Sequence, residues 1–152
     1  MMKIDLFYDS MTGNVERFAN KFTELPFNIK PLKLVTIINN NFILVTYTTG
    51  IAQIPPTTKE FLESHKSLLS KMCLGVVSSG NRNWGDNFAA SGDKIEAEYH
   101  IKLLHKIEMA GSKKDVDIIT QKVNLICSEI PFQKPRIPSM NMFSCRNETT
   151  LP

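Results

Sequence analysis

No run of about 18 apolar residues occurs in the 152-residue chain, so no helix is expected to span a membrane. The opening stretch, Met1 to Tyr8, does not read as a signal peptide: its apolar part is short, carries Asp5 and lacks a small-residue cleavage site. Both absences point to a cytoplasmic protein. Cysteine is scarce and unpaired in pattern. Cys73, Cys127 and Cys145 are odd in number, far apart and form no C-x-x-C pair, which agrees with a cytoplasmic protein. Cys73 and Cys127 read as small core residues, whereas Cys145 lies in a tail and reads as a free thiol. Charge of one sign is also missing. The net charge is only +3 and the Lys and Arg residues are scattered, so no nucleic-acid footprint is present. An electron carrier that docks on basic partners would be acidic, and this chain is not. Three separated histidines, His65, His100 and His105, provide no metal-ligand spacing. His100 and His105 are five apart and would face opposite sides of a regular strand. No metal and no Ser-His-Asp or Cys-His constellation is expected.

What is present is an alternation of short apolar runs with helical patterns, in the order β-α-β-β-α-β-α-β-α. Strands are expected at Lys3–Tyr8, Leu32–Thr36, Phe42–Tyr47, Met72–Val77 and Tyr99–Ile107. A helix is expected over Asn14–Glu24, with Val15, Phe18, Ala19 and Phe22 at helical spacing. A second follows Pro55-Pro56, opened by a capping box of Thr57 with Glu60 and carrying Phe61, Leu62, His65, Leu68 and Leu69. A third runs from about Asn87 to Ala97. The last starts near Ser112 with Asp115 completing a cap, and carries Val116, Ile119, Val123, Ile126 and Ile130. Continuous apolar strands between helices imply an α/β fold with a mostly parallel sheet covered on both faces. The turn Asn39-Asn40-Asn41 leaves no clear helix between the second and third strands, so an irregular crossover is expected there. Beyond Pro131 the Pro-containing tail, 132–152, is expected to be extended or disordered.

Ligands of open parallel sheets bind beyond the carboxyl ends of the strands, and three polar loops sit there. The first, Ser10-Met11-Thr12-Gly13-Asn14, has hydroxyls, an amide, a glycine and a helix start. Those groups suit a phosphate held by neutral donors and backbone N–H groups. The G-x-x-x-x-G-K-[ST] pattern is absent, which argues against a nucleoside triphosphate with magnesium. The second loop is Thr46-Tyr47-Thr48-Thr49-Gly50. The third runs from Ser78 and Ser79 through Gly80-Asn81-Arg82-Asn83-Trp84-Gly85-Asp86-Asn87-Phe88. Tyr47, Trp84 and Phe88 can wall a flat ring system, and backbone N–H groups near Thr49–Gly50 and Gly80–Asn81 can address its edge.

Ser-x-Thr-Gly-Asn after the first strand resembles the flavodoxin phosphate loop. The third loop and its continuation, Ala89-Ala90-Ser91-Gly92-Asp93-Lys94-Ile95, resemble a narrower family: NrdI, the flavodoxin-like activase of class Ib ribonucleotide reductase. The similarity covers roughly Lys3 to Ile130. It implies a flavodoxin-like three-layer sandwich, a five-stranded parallel sheet of order 2-1-3-4-5, in an FMN-binding domain over 1–131. By the same resemblance Ser10, Thr12, Gly13 and Asn14 hold the FMN phosphate, with backbone contacts from Met11 and Val15. Tyr47, Thr48, Thr49 and Gly50 line one side of the isoalloxazine. Ser79, Gly80, Asn81, Trp84, Gly85 and Phe88 line the other. The implied partners are dioxygen, the dimanganese small subunit of the reductase, and a flavodoxin or ferredoxin reductase as electron donor. Reduced FMN would turn dioxygen into superoxide or a peroxide-level oxidant for assembly of the manganese–tyrosyl radical cofactor. Two alternatives remain open from the residues: a generic flavodoxin electron carrier, and a flavodoxin-fold binding module without redox chemistry.

Overall fold

The computed structural model describes residues 3–22 and 27–129. Five parallel strands, β1 (Ile4–Tyr8), β2 (Phe27–Pro31), β3 (Phe42–Tyr47), β4 (Cys73–Gly80) and β5 (Leu103–Glu108), form one sheet in the order β2-β1-β3-β4-β5. The helices are α1 (Asn14–Ala19), α2 (Pro56–Ser64), α3 (Lys66–Met72), α4 (Ala90–Tyr99) and α5 (Lys113–Glu129). Strand side chains alternate between two buried faces, as the pleat requires. Ile4, Leu6, Ile43, Val45 and Val77 join Phe18, Phe22, Ile119 and Val123 in a core under α1 and α5. Phe7, Phe42, Leu44 and Val76 join Phe61, Leu62 and Ile95 in a second core under α2 to α4. That second core is keyed by aromatic packing: Phe7 and Phe42 centroids lie 4.9 Å apart and Phe61 meets Phe42 edge-on at 5.9 Å. Both faces are therefore sealed, and loops at the carboxyl ends of the central strands are left to bind ligands. No described helix is long and apolar enough to cross a membrane.

Several boundaries differ from the sequence expectations. The second strand is Phe27–Pro31, in register with β1 from Ile4↔Phe27 to Tyr8↔Pro31, and not Leu32–Thr36. β2 is an edge strand with one half-exposed face, so it carries alternation instead of an apolar run. Leu32–Leu34 is a 3-10 turn, and the crossover to β3 has no α-helix, as expected. Helix α1 stops at Ala19; the expected extension through Thr23 and Glu24 lies outside the described residues, as do Ile130 and the 132–152 tail. The Thr57–Glu60 capping box does not form. Pro55 takes the cap position with Pro56 in the first turn, and no side chain caps the helix. The expected single helix breaks at His65, whose Nδ1 lies 3.0 Å from the Phe61 carbonyl, giving α2 and α3. The fourth strand begins at Cys73 rather than Met72 and runs on to Gly80, beyond the expected Val77. Helix α4 starts three residues later than expected, at Ala90, because the third loop folds as a 3-10 turn, Arg82–Asn87. Tyr99 and His100 end α4 and do not open β5, so His100 and His105 share no strand. The Ser112–Asp115 cap does form: the Ser112 N–H donates to Asp115 Oδ2 at 2.9 Å and the Asp115 N–H to Ser112 Oγ at 3.3 Å.

Candidate functional site

The first loop is organised by Ser10. Its Oγ accepts from the N–H groups of Gly13 and Glu16, both at 3.2 Å, and so closes the turn from β1 into α1. Gly13 has φ +99°, a conformation that glycine adopts without a Cβ penalty. Ser10 thus supplies the fold of the loop first, and its own proton remains to be donated outward. The N–H groups of Met11 and Thr12 have no partner among the described residues, nor do those of Asn14 and Val15 in the first turn of α1.

The second loop is a tight reversal. Thr49 and Gln53 exchange both backbone hydrogen bonds, at 3.0 and 2.9 Å, around Gly50-Ile51-Ala52. Gly50 has φ +53° and Ala52 φ +62°. Tyr47 and Thr48 at its start are tied to the third loop by buried hydroxyls. Ser91 Oγ donates to the Tyr47 carbonyl at 2.8 Å and lies 2.9 Å from Ser78 Oγ. Ser78 Oγ donates to the Ala89 carbonyl at 2.9 Å, and the Ser91 N–H donates to Thr48 Oγ1 at 3.2 Å. The Thr48 hydroxyl donates to the Ser79 carbonyl at 3.2 Å, so it braces the loop against the end of β4.

The third loop is braced from two sides. Asn81 Oδ1 accepts from the Asn83 N–H at 2.8 Å, a local turn. The Arg82 guanidinium lies 4.6 Å over the Phe88 ring and 3.2 Å from Glu108. Lys106 Nζ donates to the Phe88 carbonyl at 3.2 Å and to Asp93 at 2.7 Å. The loop after β5 crosses its start: the Met109 N–H donates to the Gly80 carbonyl at 2.9 Å, and the Ser79 hydroxyl donates to the Met109 carbonyl at 2.7 Å.

These loops enclose one cleft of about 170 Å³. The structure brings Ser10, Met11, Thr12, Asn14, Val15, Tyr47, Thr48, Gly50, Ser79, Gly80, Asn81 and Trp84 to its walls. Gly13, Thr49, Gly85 and Phe88 are not among the lining residues. Gly13 and Thr49 have their N–H groups engaged within their own loops, and the Phe88 ring stacks under Arg82. Ala52, Asn87, Ala89 and Met109 line the cleft without having been singled out in the sequence. Met109 stands just beyond the carboxyl end of β5, where the rule that located the other loops also applies. Ala52 and Ala89 carry no side-chain signal; they matter through backbone shape. Ala52, Ala89 and Met109 are non-glycine residues with φ of +62°, +51° and +55°, and all three face this cleft. Backbone strain of that kind concentrates at ligand sites.

Electrostatically the cleft is bare. None of its walls carries a carboxylate or an amine, and Tyr47, its one ionisable side chain, is held above the usual phenol range by burial and by the charge of Asp9. Met11 and Trp84, 68% and 52% exposed, stand at the rim as open apolar surface. Such a site binds by backbone N–H groups, hydroxyls, an amide and flat apolar faces. That donor set fits an anionic tail at the first loop and an uncharged ring between the other two. Among the described residues no group of three or more His, Cys, Asp or Glu side chains is placed to hold a metal. Burial pushes the Cys73 thiol up to about 12, so it is no nucleophile at neutral pH.

A family model described as NrdI flavodoxin-like matches residues 6–121. Protein NrdI of Bacillus licheniformis is 43% identical over 127 residues, covering 83% of this chain and 92% of that protein. Among solved structures, oxidised flavodoxin 1 from Bacillus cereus superposes with a TM-score of 0.62 at 19% identity, covering 85% of this chain and 99% of that one. A Fusobacterium nucleatum flavodoxin mutant bound to flavin mononucleotide superposes with a TM-score of 0.52 at 18% identity, covering 86% and 95%. The sheet order, the cleft at the carboxyl ends and the match over most of the chain converge: this chain belongs to the NrdI flavodoxin-like family.

Proposed function

We propose that the chain binds one FMN in the three-loop cleft and serves as an oxidant-supplying partner of a class Ib ribonucleotide reductase. The observation that carries this reading is the uncharged cleft itself, formed at the ends of β1, β3 and β4 in a member of this family. The unpartnered N–H groups of Met11, Thr12, Asn14 and Val15 suit the phosphate, with the Ser10 and Thr12 hydroxyls beside them. Tyr47, Trp84 and Met109 offer faces to the ring, and the Gly80–Asn81 segment faces its edge. Bound FMN supplies one- and two-electron chemistry, which in its reduced form converts dioxygen to superoxide or a peroxide-level oxidant. The chain's own part is access. The cleft opens at a rim where Met11 and Trp84 are largely exposed, and in this reading that opening leaves an edge of the ring accessible. No carboxylate lines its walls, so the only fixed negative charge felt there is that of Asp9, which reaches Tyr47 from behind the wall. The small dimanganese subunit of the reductase is the receiving partner in this reading, and a flavodoxin or ferredoxin reductase is the electron donor.

The test is reconstitution. Purified protein should take up FMN to one equivalent, judged by its visible absorption. After reduction and exposure to air it should support radical formation in purified dimanganese subunit, followed by electron paramagnetic resonance. Flavin uptake without radical formation would leave a generic electron carrier. A colourless protein that takes up no FMN would leave a binding module.

A further inference from the structure

Asp9 is a buried carboxyl that the cleft does not use. It is the last residue before the first loop, it is 9% exposed, and it does not line the cleft. No described cation lies within ion-pair distance of it. An unpaired buried carboxylate is costly, and an apolar residue would be expected in its place unless its hydrogen bonds matter. Those bonds are specific. Thr58 Oγ1 donates to Asp9 Oδ2 at 2.6 Å, and Thr58 Oγ1 and Thr46 Oγ1 are 2.7 Å apart. Each threonine has one hydroxyl proton. Because the Thr58 proton goes to Asp9, Thr46 is the donor to Thr58, and the chain runs one way: Thr46 to Thr58 to Asp9. The Asp9 N–H meanwhile donates to the Val45 carbonyl at 2.9 Å. Burial raises the Asp9 carboxyl above its ordinary range; the Thr58 donors and the charge of Lys33 pull it partly back.

The topology gives this chain a mechanical meaning. Thr46 is the penultimate residue of β3, just before the second loop leaves, and Thr58 sits in the first turn of α2, just after that loop returns. Thr46 and Thr58 are both fully buried. Both ends of the second loop are therefore pinned to the residue that launches the first. We propose that Asp9 is a positioning residue of the cofactor cleft, whose carboxylate, through Thr58 and Thr46, fixes the spacing between the phosphate loop and the ring loop. The inference rests on the FMN reading above. A ligand with both a phosphate and a ring must span the two loops, so it feels their spacing; a ligand with the ring alone does not.

The comparison of FMN with riboflavin, which lacks the phosphate, reads that spacing directly. Dissociation constants are measured on the full chain by flavin fluorescence. In Thr58→Val, which keeps shape and deletes both hydroxyl links, FMN should bind about tenfold more weakly while riboflavin stays within twofold of the parent. Asp9→Asn keeps an acceptor oxygen for Thr58 and should hold FMN within threefold. Thr46→Val, which leaves the Asp9–Thr58 bond in place, should weaken FMN severalfold, again sparing riboflavin; it carries the test if Thr58→Val does not fold. Equal losses for the two flavins, unchanged FMN binding in both threonine variants, or an Asp9→Asn loss as large as that of Thr58→Val each overturn the inference while leaving the FMN reading intact. A parent protein that binds neither flavin overturns both.

Discussion

Ser91 is fully buried, and its hydroxyl donates to the Tyr47 carbonyl while its N–H donates to the Thr48 side chain. Replacing Ser91 with Ala removes the donor to the Tyr47 carbonyl and a neighbour of the buried Ser78 hydroxyl. A buried polar group left unsatisfied costs about 1–3 kcal/mol. Urea denaturation of Ser91→Ala should show a loss in that range, and FMN affinity should fall with it because Tyr47 and Thr48 line the cleft. Gly50 gives a second single-residue test. It has φ +53° and open space around its missing Cβ, with only Gln53 Cγ near, at 3.6 Å. Gly50→Ala should therefore meet no clash and cost only the left-handed backbone, about 1 kcal/mol by urea denaturation. Which polar residues face the ligand was only partly legible. The sequence shows that Ser10, Thr48 and Asn81 are polar and lie in the right loops. It does not show that Ser10 and Asn81 each spend a hydrogen bond on a turn of their own loop, or that Thr48 spends one on Ser79 at the end of β4, because those bonds depend on how the loops fold against one another.

At the scale of elements, the helices and strands with strong periodicity were legible and the ones decided by a single contact were not. α5 was readable because Val116, Ile119 and Val123 repeat at helical spacing and Ser112 with Asp115 marks its start. β2 was not, because an edge strand needs apolar residues on one face only and Leu32-Lys33-Leu34 offered a more apolar decoy. The break at His65 was hidden for a different reason: Phe61, Leu62, Leu68 and Leu69 keep the helical phase across it. The cap of α5 carries a pH prediction. Asp115 loses solvation on burial, yet hydrogen bonds from His105 at 2.8 Å and from Ser112 hold its carboxyl below the ordinary value. A carboxyl depressed in the folded state stabilises it at pH above the unfolded value, near 3.8, and loses that contribution as pH falls through the folded value. The parent should therefore lose more stability than Asp115→Asn between about pH 5 and pH 3, measured by urea midpoints. A parallel decline in the two proteins would remove the cap from the account. The second core gives the larger effect: Phe61→Ala, in a ring cluster with Phe7 and Phe42, should cost about 3–5 kcal/mol.

For the whole molecule, the parallel sheet covered on both faces and the placement of the cleft follow from a short list of rules acting together, whereas the strand order β2-β1-β3-β4-β5 was implied by the family resemblance. Parallel strands need crossovers, both sheet faces need cover, and the ligand end is the carboxyl end. Those rules apply to patterns spread along the chain, which is why the architecture was legible where individual strand limits were not. The strained backbone at Ala52, Ala89 and Met109 was invisible to them, since nothing in an alanine or a methionine announces a positive φ. The same architecture makes occupancy of the cleft measurable without a label. Trp84 is the only tryptophan in the chain, and it stands half exposed at the cleft rim. Flavin absorbs where indole emits, so FMN bound beside Trp84 should quench the tryptophan emission in proportion to occupancy, with saturation at one equivalent. Binding to the folded state alone must also stabilise it: at free FMN of about 100 times Kd the gain is about 2.7 kcal/mol, and at 1,000 times about 4.1 kcal/mol. The quench and the rise in urea midpoint should therefore give one and the same Kd. Stabilisation that saturates while Trp84 emission is unchanged would place the flavin elsewhere on the molecule. In Trp84→Phe the emission is lost, and the urea midpoint should still climb with FMN, since the groups proposed to hold the phosphate belong to the first loop and not to the indole.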